Sequence, residues 1–197
     1  LATILQENDL TDHPAMAQAK IRGIRSLAGH SESTDLTNDV NGGPSGIGIS
    51  TAAGKAAFWD MMGAGPSLKI FAIEGEFALT SGHSQEFKTQ AVAQRVGKRL
   101  RVLMSYNNAG IDDELVGSVV KEDTYRIEDQ WSSYGWNVFK VDNANDYDQV
   151  VGVLKTMEDW DPDDRRPMMV VGKTVKGFWP GARDGKLPGG VPQVVDH

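Results

Sequence analysis

Four short apolar runs, spaced so that a helix fits between each, constrain this chain more than any other feature. They are Leu68 to Ile73 (LKIFAI), Leu100 to Ser105 (LRVLMS), Trp136 to Val141 (WNVFKV) and Met168 to Gly172 (MMVVG). Runs of this length, largely apolar on both sides, suit buried parallel strands. Between them, Ser84 to Val96 reads as a helix. A second helix precedes Trp136, with Asp123 as its cap and Ile127, Trp131 and Tyr134 at i, i+4 and i+7. Asp146 caps a third, whose stripe is Val150, Leu154 and Met157. Upstream, the Ala-rich stretch Ile49 to Met62 predicts a closely packed helix, and Asp12 to Leu27, with Pro14 in its first turn, predicts another. Strands alternating with helices imply an α/β fold, a parallel sheet with helices on both faces in three layers.

With 40% hydrophobic and 24% charged residues, the 197-residue chain has the composition of a globular protein and the length of a single domain over 1–197. Residues 173–197, rich in Gly and Pro, read as a tail or linker. Twenty Lys+Arg against 27 Asp+Glu leave a net charge of −7, which argues against nucleic acid or an anionic membrane as partner. The absence of cysteine excludes a disulfide scaffold, a thiolate metal site and a thiol nucleophile. No apolar run approaches the roughly 18 residues of a membrane span, so a cytoplasmic location is expected. The chain opens on Leu1 rather than Met, and the expectation is a piece of something longer.

Two partial phosphate-loop motifs fail. Gly54-Lys55 and Gly172-Lys173-Thr174 lack the glycine five positions earlier, where Ile49 and Pro167 stand. His13, His30, His83 and His197 show no metal-ligand spacing. The chemistry lies instead at the expected strand ends: Ile73-Glu74-Gly75-Glu76 after the first, and Ser105-Tyr106-Asn107-Asn108-Ala109-Gly110 after the second. Ligands of open parallel sheets bind outside the carboxyl ends of the strands. A carboxylate, an amide oxygen and a backbone carbonyl are hard donors suited to Mg²⁺ or Ca²⁺. Gly75 allows close backbone approach to a phosphate, and the helix near Ser84 offers N–H groups to an anion. The same residue types are also common in ordinary strand-to-helix loops.

The arrangement resembles the thiamine diphosphate motif of the transketolase family, a Gly-Asp-Gly at one strand end and an Asn about thirty residues later. Asn41-Gly42-Gly43-Pro44-Ser45-Gly46-Ile47-Gly48 is similar to the family's T-T-G-P-L-G-Q-G, and Gly29-His30-Ser31-Glu32 to its G-H-P-E. Tyr134-Gly135-Trp136 resembles Y-G-W, and Lys173 to Gly177 resembles K-T-x-x-G. The matches are collinear from Gly29 to Gly177.

The resemblance implies the diphosphate-binding domain of a transketolase-like enzyme, which moves a two-carbon ketol unit between sugar phosphates. Glu74, Asn107 and the Ala109 carbonyl would hold the metal, Mg²⁺ or Ca²⁺. Asn107 fits the family's N-x-x-x-I-D phase, with Asn108 as the alternative. Gly75 and Glu76 would lie along the diphosphate, and Gly43, Pro44, Ser45 and Gly46 near the rest of the cofactor. His30, in the catalytic role, would face the sugar. A pyrimidine-binding domain, in the same or another chain, would be needed for activity, in a homodimer when complete.

The chain also departs from the family. Glu74 and Ile73 replace Asp and the first Gly, the interval to Asn107 is about three residues longer, with a small insertion near Leu79 to His83, and Asp184-Gly185 stands where the family has His-Gly. Lys176-Gly177-Phe178-Trp179-Pro180 followed by Asp184-Gly185-Lys186 resembles phosphoketolases, the alternative enzyme. A scaffold that has lost its cofactor is the alternative of another class.

Overall fold

A computed structural model describes residues 39–40, 46–108, 126–175 and 178. The chain divides into two compact units, Leu1–Gly43 and Pro44–His197, and every element below belongs to the second. The expected helix from Asp12 to Leu27, Asp123 itself and most of the tail lie outside the described residues; the helix expected to be capped by Asp123 starts instead at Ile127, with Arg126 at its N-cap position.

The second unit begins with helix α1 (Ile47–Met61), then strand β1 (Ile70–Gly75), a 3-10 segment (Glu76–Thr80) and helix α2 (Gly82–Ala93). A short 3-10 turn (Val96–Lys98) leads into β2 (Leu100–Tyr106). Helix α3 (Ile127–Ser133), β3 (Asn137–Val141), α4 (Tyr147–Glu158) and β4 (Met168–Lys173) follow. The strands form one parallel sheet in the order β1-β2-β4-β3. The sequence implied parallel pairing; it did not imply that β4 inserts between β2 and β3.

Alternation along the strands separates two cores. One face carries Ala72, Val102, Met104, Met169 and Val171 against α1, α2 and α3; the other carries Leu103, Phe139, Val141, Met168 and Val170 against Met157 and Leu154 of α4. Helices therefore cover both faces, as expected. On α1 the buried positions are Ile49, Ala52, Ala53 and Ala56, a helical stripe of mostly small side chains that lets the helix lie close to the sheet. Among the described residues no helix is long and apolar enough to cross a membrane.

Several boundaries moved. β1 starts and ends two residues later than the apolar run suggested, so Glu74 and Gly75 belong to the strand itself. The long helix expected from Ser84 to Val96 is broken. It starts at Gly82, stops at Ala93, and Arg95 adopts a left-handed conformation (φ 53°) before the 3-10 turn. The expected insertion near Leu79 to His83 spans the end of the 3-10 segment and the start of α2. Asp146 does cap α4, its carboxylate accepting from the N–H groups of Asp148 and Gln149.

Polar anchors gather toward the amino edge of the sheet. Buried Arg99 donates to the Asp60 carboxylate (2.9 Å) and to the carbonyls of Ala64, Gly65 and Leu68, fixing the α1–β1 turn. Asp164 accepts from Arg166, from Asn137 Nδ2 (3.0 Å) and from Trp160 Nε1 (3.1 Å). Hydrogen bonds from Arg166 hold its carboxyl well below the usual carboxylate range.

Lys88 on α2 is 1% exposed. Its Nζ lies 5.5 Å from the Trp131 ring centroid and 4.8 Å from that of Tyr134, with no hydrogen-bond partner among the described residues. Burial pushes its pKa below 10.5. Cation–π attraction only partly replaces lost hydration. The Lys88→Met variant should therefore be more stable at neutral pH, by about 1 kcal/mol. Between the lowered folded pKa and 10.5 the unfolded chain binds more protons, so wild-type stability rises with pH through that window. Urea unfolding at about pH 7 and about pH 10 should show the gap narrowing at the higher value; a gap of constant size would refute this account of Lys88.

Candidate functional site

The carboxyl ends of β1 and β2 bring the sequence-predicted residues together through two long-range hydrogen bonds. β1 and β2 pair in register, with Gly75 opposite Ser105. Glu74 therefore leaves the sheet beside the end of β2, on the face covered by α1. Its Oε2 accepts the backbone N–H of Gly46 at 3.1 Å, and its Oε1 accepts that of Gly75 at 3.2 Å. The carboxylate sits at the first turn of α1, where N–H groups lack helical partners and a negative charge is favoured.

Gly46, the residue before α1, has a φ of 86°, a region that residues with a Cβ rarely occupy. A Cβ there would lie 2.4 Å from Ser81 Oγ and 2.8 Å from Ser84 Oγ. Ser84 is fully buried and donates to the Ala78 carbonyl at 3.0 Å. The start of α2 is thus packed against Gly46, and Ser84 itself is spent on structure rather than presented to a ligand. At Gly75, by contrast, a Cβ would meet nothing within 4 Å among the described residues beyond its chain neighbours.

Glu76 differs from its expected place along a ligand. It is 2% exposed, and its Oε1 accepts the backbone N–H of Asn107 at 3.1 Å. The sequence carries no sign of this role because it joins residues 31 apart; an acidic residue that opens a 3-10 segment bears no local mark of burial. Asn107 follows β2 directly, and Asn108 beside it adopts φ 58°. His30, Gly43, Pro44, Ser45 and Ala109 lie outside the described residues.

Residues 13–189 match the family described as "Transketolase, thiamine diphosphate binding domain". The chain belongs to that family. Among curated transketolases, the protein of Rhodobacter capsulatus is 34% identical over 160 residues, covering 77% of this chain and 22% of its own length. The probable transketolase of Streptococcus pneumoniae is 28% identical over 158 residues, covering 76% and 22%. The solved transketolase of Campylobacter jejuni superposes with a TM-score of 0.60 at 21% identity, over 74% of this chain and 22% of that one. The R525L transketolase of Pichia stipitis gives 0.59 at 24% identity, over 75% and 22%. These structural likenesses establish the fold. The chain spans about a fifth of the length of the transketolases it matches.

The donor chemistry suits a thiamine diphosphate domain that uses a hard cation. Each Glu74 oxygen accepts one N–H and keeps a second lone pair. Among the described residues no group of three or more His, Cys, Asp or Glu is placed to hold a metal. A cation here would rely on one carboxylate, an amide oxygen and backbone carbonyls, oxygen donors of the kind Mg²⁺ and Ca²⁺ accept.

Proposed function

We propose that this chain is the diphosphate- and metal-gripping part of a transketolase-like enzyme that transfers a two-carbon ketol unit between sugar phosphates. The observation that carries the reading is the Glu74 carboxylate, set at the α1 N-terminus and held by the N–H groups of Gly46 and Gly75 at the carboxyl end of β1. Glu74 and Asn107 would hold Mg²⁺ or Ca²⁺, with the Ala109 carbonyl as third protein ligand. Gly75 would lie along the diphosphate, while the Gly46 and Gly75 N–H groups hold the Glu74 carboxylate in place. Gly43, Pro44 and Ser45 would continue the cofactor contact, and His30 would face the sugar.

When bound, thiamine diphosphate supplies the nucleophilic carbon for cleaving and re-forming the ketose carbon–carbon bond. This chain's residues would hold its charged end, neutralise it through the cation and exclude water from the anchoring site. A pyrimidine-binding domain, in the same or another chain, would complete the enzyme, which would act as a homodimer.

Thiamine diphosphate with Mg²⁺ should raise the melting temperature of the complete, partnered protein. Ligand at 100 times its Kd adds about 2.7 kcal/mol to stability by mass action. Asn107→Ala should abolish most of that rise while leaving the unliganded melting temperature nearly unchanged. A full rise in the variant would remove Asn107 from the site; no rise in the complete wild-type protein would favour a scaffold. Acetyl phosphate formation from a ketose phosphate and inorganic phosphate would mark a phosphoketolase instead.

A further inference from the structure

We infer that Glu76 is a positioning residue for the cation site rather than a cofactor contact: its buried carboxylate fixes Asn107 against the end of β1. This rests on the reading of Glu74 and Asn107 as cation ligands. Glu76 directly follows Gly75, the last residue of β1, while Asn107 directly follows Tyr106, the last residue of β2. The two strands are held in register up to Gly75 and Ser105. Beyond that point the ladder no longer sets the distance between the exits. There the Asn107 N–H, donated to Glu76 Oε1 at 3.1 Å, bridges the gap.

At 2% exposure Glu76 has little access to solvent or to a ligand. A carboxylate is seldom buried so completely without strong partners, and a charged acceptor makes a stronger bond to a backbone N–H than a neutral one. That bond pins the main chain at Asn107 and, through it, the direction in which the Asn107 amide leaves the sheet. Glu74, two residues before Glu76, is pinned separately by Gly46 and Gly75. The pair of anchors sets the spacing of the two ligands, as outer groups do for metal ligands elsewhere.

The test uses the full chain with Mn²⁺ and inorganic pyrophosphate as probes, read by the electron paramagnetic resonance of Mn²⁺. Hydrogen exchange at the Asn107 amide is the second readout. Glu76→Ala should weaken Mn²⁺ binding about 10–100-fold, the range seen when an outer partner of a ligand is removed, and should expose the Asn107 amide to exchange. Glu76→Gln keeps an oxygen acceptor at nearly the same place and should recover most of both signals. Unchanged Asn107 exchange in Glu76→Ala overturns the inference, as does unchanged Mn²⁺ affinity in that variant. If wild type binds no Mn²⁺, the cation reading of Glu74 and Asn107 fails on its own, and the exchange measurement still decides whether Glu76 holds Asn107. If the alanine variant does not fold, the Glu76→Gln variant decides: an Asn107 amide as exposed as a free loop amide there would sink the idea.

Discussion

Gly46→Ala should abolish the stabilisation by thiamine diphosphate and Mg²⁺ and also lower the stability of the protein without them. Two costs combine at this position. A residue with a Cβ held at φ 86° gives up roughly 1–2 kcal/mol. The new methyl group would also lie 2.4 Å from Ser81 Oγ and 2.8 Å from Ser84 Oγ, and relieving such overpacking costs about 1–3 kcal/mol. Neither serine can yield freely, because Ser84 donates to the Ala78 carbonyl and contacts Ser81 Oγ at 3.1 Å. The backbone must move instead, carrying the Gly46 N–H away from Glu74 and turning the carboxylate out of its anchored position. Calorimetric melting with and without ligand separates the two effects. Adding Ser81→Ala to the variant should recover part of the intrinsic stability, since the clash is eased while the strained φ persists. A full ligand-induced rise in Gly46→Ala would show that the Glu74 anchor is irrelevant to binding.

Gly97→Ala should produce a large loss of stability with little effect on the ligand site. Gly97 lies in the 3-10 turn before β2 and donates to the Arg165 carbonyl at 3.1 Å. A Cβ would sit 2.1 Å from the Arg166 carbonyl oxygen and 2.4 Å from that of Arg165. Both obstacles are backbone, so the strand-entry loop as a whole must shift. That loop presents the Asp164 cluster and continues through Pro167, whose carbonyl accepts the Asn137 N–H at the start of β3. A loss of about 3 kcal/mol is expected, or roughly 6–12 °C in melting temperature for a chain of this size. Gly152→Ala is the control. It lies within α4 with nothing among the described residues within 4 Å of a new Cβ, and should gain up to about 1 kcal/mol. The folded fraction of Gly97→Ala should keep the wild-type response to thiamine diphosphate, because the clash is at the amino edge of the sheet. Equal stability of Gly97→Ala and wild type would mean that the 165–166 loop is not packed on this turn.

Much of the fold was legible because its causes are local. Each strand announces itself by a short apolar run, and the Asp146 cap and the Ala-rich face of α1 depend only on residues a turn apart. The site was legible in part. Glu74, Gly75 and Asn107 stand where a parallel sheet presents its ligands, and the glycine segment ending at Gly48 marks the start of a helix. Less legible was what each side chain touches. Glu76, set by the resemblance along the diphosphate, proves buried; Lys88, in the stretch read only as a helix, proves enclosed by Trp131 and Tyr134. The break of the expected Ser84 to Val96 helix has its cause in Arg95 and the close packing of Gly97, neither of which alters the hydrophobic pattern.

By itself, then, the sequence determined the succession of strands and helices, the parallel pairing they require and the strand ends at which the candidate site residues stand. Hydrophobic periodicity and capping act over a few residues and leave a readable trace. Only the tertiary structure decided that β4 lies between β2 and β3, that the Glu74 carboxylate turns back onto Gly46, and that Glu76 holds the Asn107 main chain. Those contacts join residues 28 and 31 positions apart. A hydrogen bond needs its partners within about 3 Å, and which partners arrive there depends on how whole elements pack.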